Sequence, residues 1–141
     1  MNFVLDASVA LLWLAPQTNA LGMAYAQTTL LSLSQSKAIV PTIWSLEIAN
    51  VVTKIESKGM VVEADSHLFI STLEQLNIET DSMTAQMALS QTLQLARRYQ
   101  LSAYDAAYLE LSLRMGLPLA SLDADLVKAA IKAGVGIWGR N

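Results

Sequence analysis

The sequence predicts an α/β fold in which a parallel sheet is covered by helices on both faces. Five short apolar runs have the length of strands, and longer stretches with helical spacing separate them. No linker, repeat or low-complexity tract divides the 141 residues, so we expect a single domain over residues 1–141. Strands that are apolar throughout are typical of parallel sheets with both faces buried.

The first third of the chain alternates strands with helices. We predict a buried strand at residues 2–5, a helix at 7–15 that Pro16 ends, a second helix at 19–34 and a second strand at 38–40. The run Phe-Val-Leu at the start of the chain is short and wholly apolar, which favours a central strand over a helix.

The middle of the chain contains two longer helices and a third strand. Pro41 precedes a helix predicted at residues 42–57, and Gly59 follows it as a C-terminal glycine does. A further helix is predicted at 63–76. Residues 78–80 are expected to form the third strand.

The last third repeats the alternation. Helices are predicted at residues 84–99 and 103–115, and Gly-Leu-Pro at 116–118 ends the second of them. A strand follows at 119–121, a helix at 124–133 that Gly134 ends, and a final strand at 135–137.

The composition favours a globular protein with an acidic pocket. Apolar residues make up 53% and charged residues 15%, against about 25% charged in an average soluble protein, so some apolar surface is expected to meet another protein. The net charge of −3 argues against a broadly basic nucleic-acid surface. With no cysteine and a single histidine, His67, disulfides, thiolate-bound zinc and multi-histidine sites are excluded.

Four carboxylates lie within apolar sequence: Asp6, Glu47, Asp105 and Asp123. An ionised acid removed from water without a partner is costly, so such groups are neutralised, paired or used to hold a metal. Setting these four aside leaves 8 of the 12 acidic residues against 9 basic ones. Asp6 and Asp123 follow predicted strands and should open onto the same edge of the sheet, where ligands of parallel sheets bind.

Each of the four acids also has a simpler interpretation. Asp6 and Asp123 could cap helices, Glu47 could be an acid favoured by the helix dipole, and Asp105 could complete a capping box that begins at Ser102. These roles do not explain why all four recur in apolar settings at strand ends or helix starts. Carboxylate oxygens without histidine or thiolate favour Mg²⁺ or Mn²⁺, held as one ion or two, which would support in-line phosphoryl chemistry.

Several neighbours of the four acids are candidate supporting residues. Ser8 and Ser121 are small hydroxyls that could orient carboxylates, and Asp125 is a possible fifth acid or a helix-dipole partner. Three residues on the helix of Glu47 continue its face: Asn50, Lys54 and Lys58. Asn50 could bond a metal ligand. The two lysines could contact phosphates of a substrate beyond the metal, or simply be solvated at a helix end.

Other polar and aromatic groups have plainer readings. Arg97-Arg98 before Tyr99 could meet nucleic acid, although the end of a surface helix is the favoured interpretation. The spacing of Tyr104, Tyr108 and Leu111 is typical of a helix core or a subunit contact.

The sequence resembles the PIN-domain ribonucleases, specifically the VapC toxins of bacterial toxin–antitoxin pairs, over nearly its whole length. The resemblance rests on VLDASVALLWL around Asp6, VPTIWSLEIANVV around Glu47 and LSAYDAAYLELSLRMGLPLASLDADLVKAA around Asp105 and Asp123, with the closing AGVGI. One departure is that Gln-Thr-Asn follows Pro16, where relatives often carry Glu.

The resemblance implies a three-layer α/β/α sandwich around a largely parallel five-stranded, PIN-like sheet. It implies that the four acids bind Mg²⁺ or Mn²⁺ for endonucleolytic cleavage of RNA by an activated water. It also implies a homodimer and a VapB-type antitoxin partner whose tail enters the acidic groove. The alternatives are a catalytically silent PIN-like module that acts through antitoxin and operator complexes, and a phosphotransfer enzyme, which the Ser8 position argues against.

The chain is expected to be cytoplasmic, with no membrane partner. Its start has no basic region, its first lysine is Lys37, and no run approaches the roughly 18 consecutive apolar residues of a membrane span.

Overall fold

The computed structural model describes residues 1–140 and contains a four-stranded parallel sheet of order β3-β2-β1-β4. Its strands are β1 (Phe3–Leu5), β2 (Ala38–Val40), β3 (Ile78–Thr80) and β4 (Leu119–Ala120). The order places β1 between β2 on one side and β4 on the other. The chain therefore leaves β1 in one direction and returns to its other side only after β3, which creates a crevice at the carboxyl ends of β1 and β4.

The prediction of a fifth strand is wrong. Residues 135–137 meet the sheet only through an isolated parallel bridge between Ile137 and Leu119. Leu119 exchanges two backbone hydrogen bonds of 2.9 Å with this segment. Gly134 and Gly139 flank it with φ of 82° and 75°, so the chain turns on both sides before a ladder can extend.

Eight α-helices surround the sheet. They are α1 (Ala7–Ala10), α2 (Met23–Ser32), α3 (Ile43–Ser57), α4 (Glu63–Gln75), α5 (Thr84–Met87), α6 (Leu93–Tyr99), α7 (Ala103–Met115) and α8 (Ala124–Lys132). Within residues 1–140 no helix combines the length and the apolar character that crossing a membrane requires.

Three predicted helices are interrupted. The helix expected at 7–15 becomes the short α1 and a 3₁₀ turn at Leu11–Trp13, and the one expected at 19–34 begins with a 3₁₀ turn at Ala20–Gly22. The helix expected at 84–99 is divided by a π-helical turn at Ala88–Thr92. The 3₁₀ turns are of a kind that is frequent at helix ends, whereas the π-helical turn is a rarer, wider bulge within a helix.

Both faces of the central strand are covered. Phe3, Val4 and Leu5 are each fully buried, although successive side chains of a strand point to opposite faces. The ring of Trp138 stacks on Phe3 with 4.3 Å between centroids, so the C-terminal segment packs on this strand. β3 lies at the edge, and only Ile78 of its residues is partly buried.

Candidate active site

The carboxyl ends of β1 and β4 bring Asp6 and Asp123 to one edge of the sheet. Asp6 follows β1 directly, and its backbone N–H donates to the carbonyl of Ala120 at the end of β4 (2.9 Å). Ser121 and Asp123 follow on the β4 side. The shared edge predicted from the sequence is therefore present.

Asp6 is a buried carboxylate held by two serines. Its side chain is 5% exposed, and Oδ2 accepts hydrogen bonds from Ser8 Oγ (2.6 Å) and Ser121 Oγ (2.7 Å). Burial raises the pKa of Asp6, the serine bonds oppose that shift, and the charge of Asp123 adds to it. Although Asp6 stands at the N-cap position of α1, its side chain makes no capping bond.

The two serine hydroxyls have fixed orientations. Ser8 Oγ accepts the backbone N–H of Leu122 (3.0 Å), and Ser121 Oγ accepts that of Asp123 (3.0 Å). Since each oxygen accepts from a backbone group, its own hydrogen is directed to Asp6. The serines thus join the start of the chain to the loop after β4.

Asp123 caps α8, as its simpler interpretation predicted. Its Oδ1 accepts the backbone N–H of Leu126 (3.0 Å), and its side chain is partly exposed. Oδ2 is not used in that bond. Asp125 lies exposed in the first turn of the same helix, where an acid is favoured by the helix dipole.

Glu47 is bonded to Tyr108, a residue whose role the sequence analysis missed. Tyr108 Oη donates to Glu47 Oε1 at 2.5 Å, joining α3 to α7. Burial raises the pKa of Glu47, as do the charges of Asp6 and Asp123, whereas the Tyr108 bond lowers it. Tyr108 is fully buried, and burial raises its own pKa, so it remains a donor. A buried tyrosine hydroxyl needs a polar partner, which was the available signal.

Asp105 lies in the first turn of α7, and the capping arrangement there is only half formed. Ser102 Oγ accepts the backbone N–H of Asp105 (3.1 Å), so Ser102 is the cap. The Asp105 carboxylate is left free for the site. Burial, followed by the charges of Asp123, Asp6, Glu47 and Asp125, raises the pKa of Asp105 to about 6.

Besides burial, the charges of neighbouring acids raise the pKa values of Asp6, Glu47 and Asp105, and within residues 1–140 no basic side chain is among the groups that shift these three values. The salt bridges found within residues 1–140 involve other acids, namely Glu79, Asp81 and Glu110. We call these acids the four-acid cluster: Asp6, Glu47, Asp105 and Asp123. The cluster is partly buried, and its negative charge is not compensated by a basic side chain within residues 1–140.

The cluster is not a closed ligand cage. Among the described residues, no three acidic or histidine side chains are arranged to hold an ion directly. Mg²⁺ keeps several waters and takes only one or two carboxylates directly. A hydrated Mg²⁺ or Mn²⁺ ion therefore fits the donor chemistry, since the remaining acids can bond its waters.

The sequence analysis missed Glu110, which with Asp6 is one of the two almost fully buried acids among residues 1–140. Glu110 is 4% exposed and accepts from Arg114 Nε (2.7 Å), while Arg114 also pairs with Asp81 after β3 (2.7 Å). This acid is paired within the protein, so it belongs to the packing of α7 and not to the cluster. The i,i+4 spacing of Glu110 and Arg114 was the available signal.

The remaining predicted site residues lie on the exposed part of α3. Asn50, Lys54 and Lys58 are all exposed, and no side-chain bond joins any of them to the four-acid cluster within residues 1–140. Their proposed contacts with metal ligands and RNA stay predictions.

Comparison with known families matches residues 3–132 to the family described as PIN domain. No curated protein matches the chain. Among solved structures, PAE2754 from Pyrobaculum aerophilum is similar at 20% identity and a TM-score of 0.65, over 92% of this chain and 87% of that one.

Two further solved structures share the fold. VapBC2 from Rickettsia felis, bound to a DNA fragment from its promoter, is 13% identical with a TM-score of 0.67 over all of both chains. FitAcB from Neisseria gonorrhoeae is 19% identical with a TM-score of 0.59, over 99% of this chain and 97% of that one. At these identities the likeness concerns the fold.

Proposed function

The chain belongs to the PIN domain family, and on that premise we propose that it is a Mg²⁺- or Mn²⁺-dependent endoribonuclease, the toxin of a VapBC-type toxin–antitoxin pair. The observation that carries the proposal is the four-acid cluster at the carboxyl ends of β1 and β4, with no basic side chain to compensate it. Repulsion within such a cluster destabilises the fold unless a cation binds there. Cations held by carboxylates promote the cleavage of phosphodiester bonds.

Asp6, Glu47, Asp105 and Asp123 would hold the ion, directly or through its waters. When bound, a divalent cation supplies positive charge that activates water and offsets the charge developing on the phosphate and leaving oxygens. Ser8 and Ser121 orient Asp6 by donating to Oδ2, so neither serine occupies Oδ1. Asp123 uses Oδ1 to cap α8, which leaves Oδ2 for the site.

The other two acids are prepared in different ways. Tyr108 fixes one oxygen of Glu47 and so restricts its rotamer. Asp105, with its pKa raised to about 6, holds a proton in part of the molecules near neutral pH. Cation binding therefore competes with a proton at Asp105, and the apparent affinity for Mg²⁺ should rise as the pH increases through 6.

The partners proposed are an RNA substrate, a VapB-type antitoxin and a second copy of the chain. Solved structures named for VapBC2 and FitAcB support the toxin–antitoxin assignment through their fold. Large apolar side chains on the surface support protein partners, among them Leu21 at 98%, Leu89 at 87% and Leu46 at 72% exposure.

The test is cleavage of unstructured RNA by the purified chain. We expect cleavage in Mg²⁺ or Mn²⁺, none in EDTA, and none from Asp105→Asn or Asp6→Asn in either condition. Unchanged cleavage by both variants would refute the assignment of the acids. Absence of cleavage by the native chain, combined with tight binding to a co-expressed antitoxin, would favour the silent binding module instead.

A further inference from the structure

A groove of about 510 Å³ lies between the end of α6, the two residues that follow it (Gln100 and Leu101) and α8. Its charged lining consists of Arg98, Lys128 and Lys132 with Asp125. We call it the α6–α8 groove. Three of the nine basic residues of an otherwise acidic chain thus line one groove, against a single acid.

The basic side chains of the groove are available for a ligand. Arg98, Lys128 and Lys132 are exposed, and none takes part in the salt bridges found within residues 1–140. The guanidinium of Arg98 lies over the ring of Tyr99, 5.6 Å from its centroid, which limits its motion. Lys128 and Lys132 are one turn apart on α8, about 6 Å along the axis.

The groove adjoins the four-acid cluster at two points. Leu101 lines it, and the next residue, Ser102, caps the helix turn that carries Asp105. Asp125 lines it two positions after Asp123, and the charge of Asp125 acts on Asp105. Asp125 therefore links the groove to the Asp105 side of the cluster.

We propose that the α6–α8 groove binds the phosphate backbone of single-stranded RNA next to the scissile bond, with Lys128, Lys132 and Arg98 as the contacting residues. The inference rests on the proposed function, because it takes RNA to be the substrate. A polyanion is repelled by the four-acid cluster, so it needs positive charge close by. The alternative site for the RNA phosphates is the end of α3, where Lys54 and Lys58 lie.

The test measures binding of a fluorescent oligouridylate by anisotropy in EDTA, from 50 to 200 mM salt. Each phosphate contact on a single strand contributes about 0.7 to the slope of log affinity against log salt. Lys128→Ala/Lys132→Ala should therefore reduce the slope by about 1.4 and weaken binding about tenfold at the lowest salt. Alanine suits these exposed helix positions, and circular dichroism verifies the fold.

The matched control is Lys37→Ala/Arg140→Ala, which removes the same charge outside the groove and should change affinity less than twofold. If the control loses as much RNA affinity as the groove variant, the effect is due to net charge alone, and the inference is overturned. A loss confined to Lys54→Ala/Lys58→Ala would place the RNA on α3 and overturn it too. Selective loss of poly-L-glutamate binding, with RNA binding intact, would assign the groove to an acidic protein.

A cleavage assay separates this inference from the proposed function. With cleavable RNA in Mg²⁺, the groove variant should have a KM raised about tenfold and a kcat within twofold of the native value, because the contacts are equal in ground and transition states. If the native chain binds RNA through the groove but never cleaves it, the proposed function is refuted, whereas RNA binding by the groove is supported. If it cleaves RNA and the groove variant behaves as native, the groove fails alone.

Discussion

Replacing Asp105 by Asn should make the metal-free protein more stable at neutral pH. The pKa of Asp105 is raised from 3.8 to about 6, first by burial and then by the charges of four neighbouring acids. A group whose folded pKa is raised stabilises the protein fully below its unfolded pKa, and that stability is lost as the pH rises through the folded pKa. The ionisation of Asp105 therefore lowers the stability of the fold progressively between about pH 4 and pH 6.

The magnitude follows from that shift. The rise of the Asp105 pKa from 3.8 to about 6 corresponds to about 3 kcal/mol of folding free energy. Because the Asp105 side chain is only partly buried, solvent screening reduces the effect, and we expect about 1.5 kcal/mol. For a chain of this size that raises Tm by about 6 °C at pH 7.

The assay is thermal and urea unfolding of native protein and Asp105→Asn in EDTA at several pH values from 4 to 8. The two proteins should have the same stability below about pH 4, diverge between about pH 4 and pH 6, and differ by a constant amount above that range. Asp65→Asn is the control, because Asp65 is exposed in the first turn of α4 and its loss should lower stability slightly. A destabilised Asp105→Asn at pH 7, or a difference that does not depend on pH, would refute the reasoning.

Three further predictions concern groups around the site. Asp6→Asn should lower RNA cleavage at least about 100-fold at saturating Mg²⁺ without loss of helical circular dichroism, and a smaller loss would remove Asp6 from the catalytic set. Tyr108→Phe should destabilise the fold by about 1–2 kcal/mol in urea unfolding, because Glu47 loses its donor; an unchanged midpoint would contradict this. Arg114→Met should lower the free energy of unfolding by about 3 kcal/mol, because Glu110 and Asp81 are left unpaired. Arg114→Lys keeps a positive charge and should lower it less; equal losses in urea unfolding would contradict the pairing argument.

The strands and helix ends were predictable because their signals are local. Pro41 after β2 and Gly116 after α7 mark the observed ends of these two elements, and β3 was also predicted with its observed bounds. The fifth strand failed because Val135 and Ile137 satisfy a strand pattern, whereas the turns at Gly134 and Gly139 prevent pairing. A pattern of side chains does not report backbone turns on its flanks.

The candidate site was predictable only in part, because its contacts join distant residues. Acids after strands could be located from the sequence alone. The bond between Tyr108 and Glu47 spans 61 positions, and the pairing of Arg114 with Asp81 spans 33. No local pattern selects Glu47 as the partner of Tyr108 or Asp81 as the partner of Arg114, so Tyr108 was assigned to the helix core. Glu110 was overlooked although its i,i+4 spacing to Arg114 is a local signal.

The hydrogen bond from Ser121 to Asp6 spans 115 positions and has a consequence for synthesis. At about 5–20 residues per second, roughly 6–23 s separate the translation of these two residues. For most of its elongation, a nascent chain on the ribosome therefore contains Asp6 and Ser8 but lacks Ser121. For an enzyme of the proposed kind, the ribosome that makes it is protected from it until the polypeptide is nearly finished, and prematurely terminated fragments should be harmless to the cell.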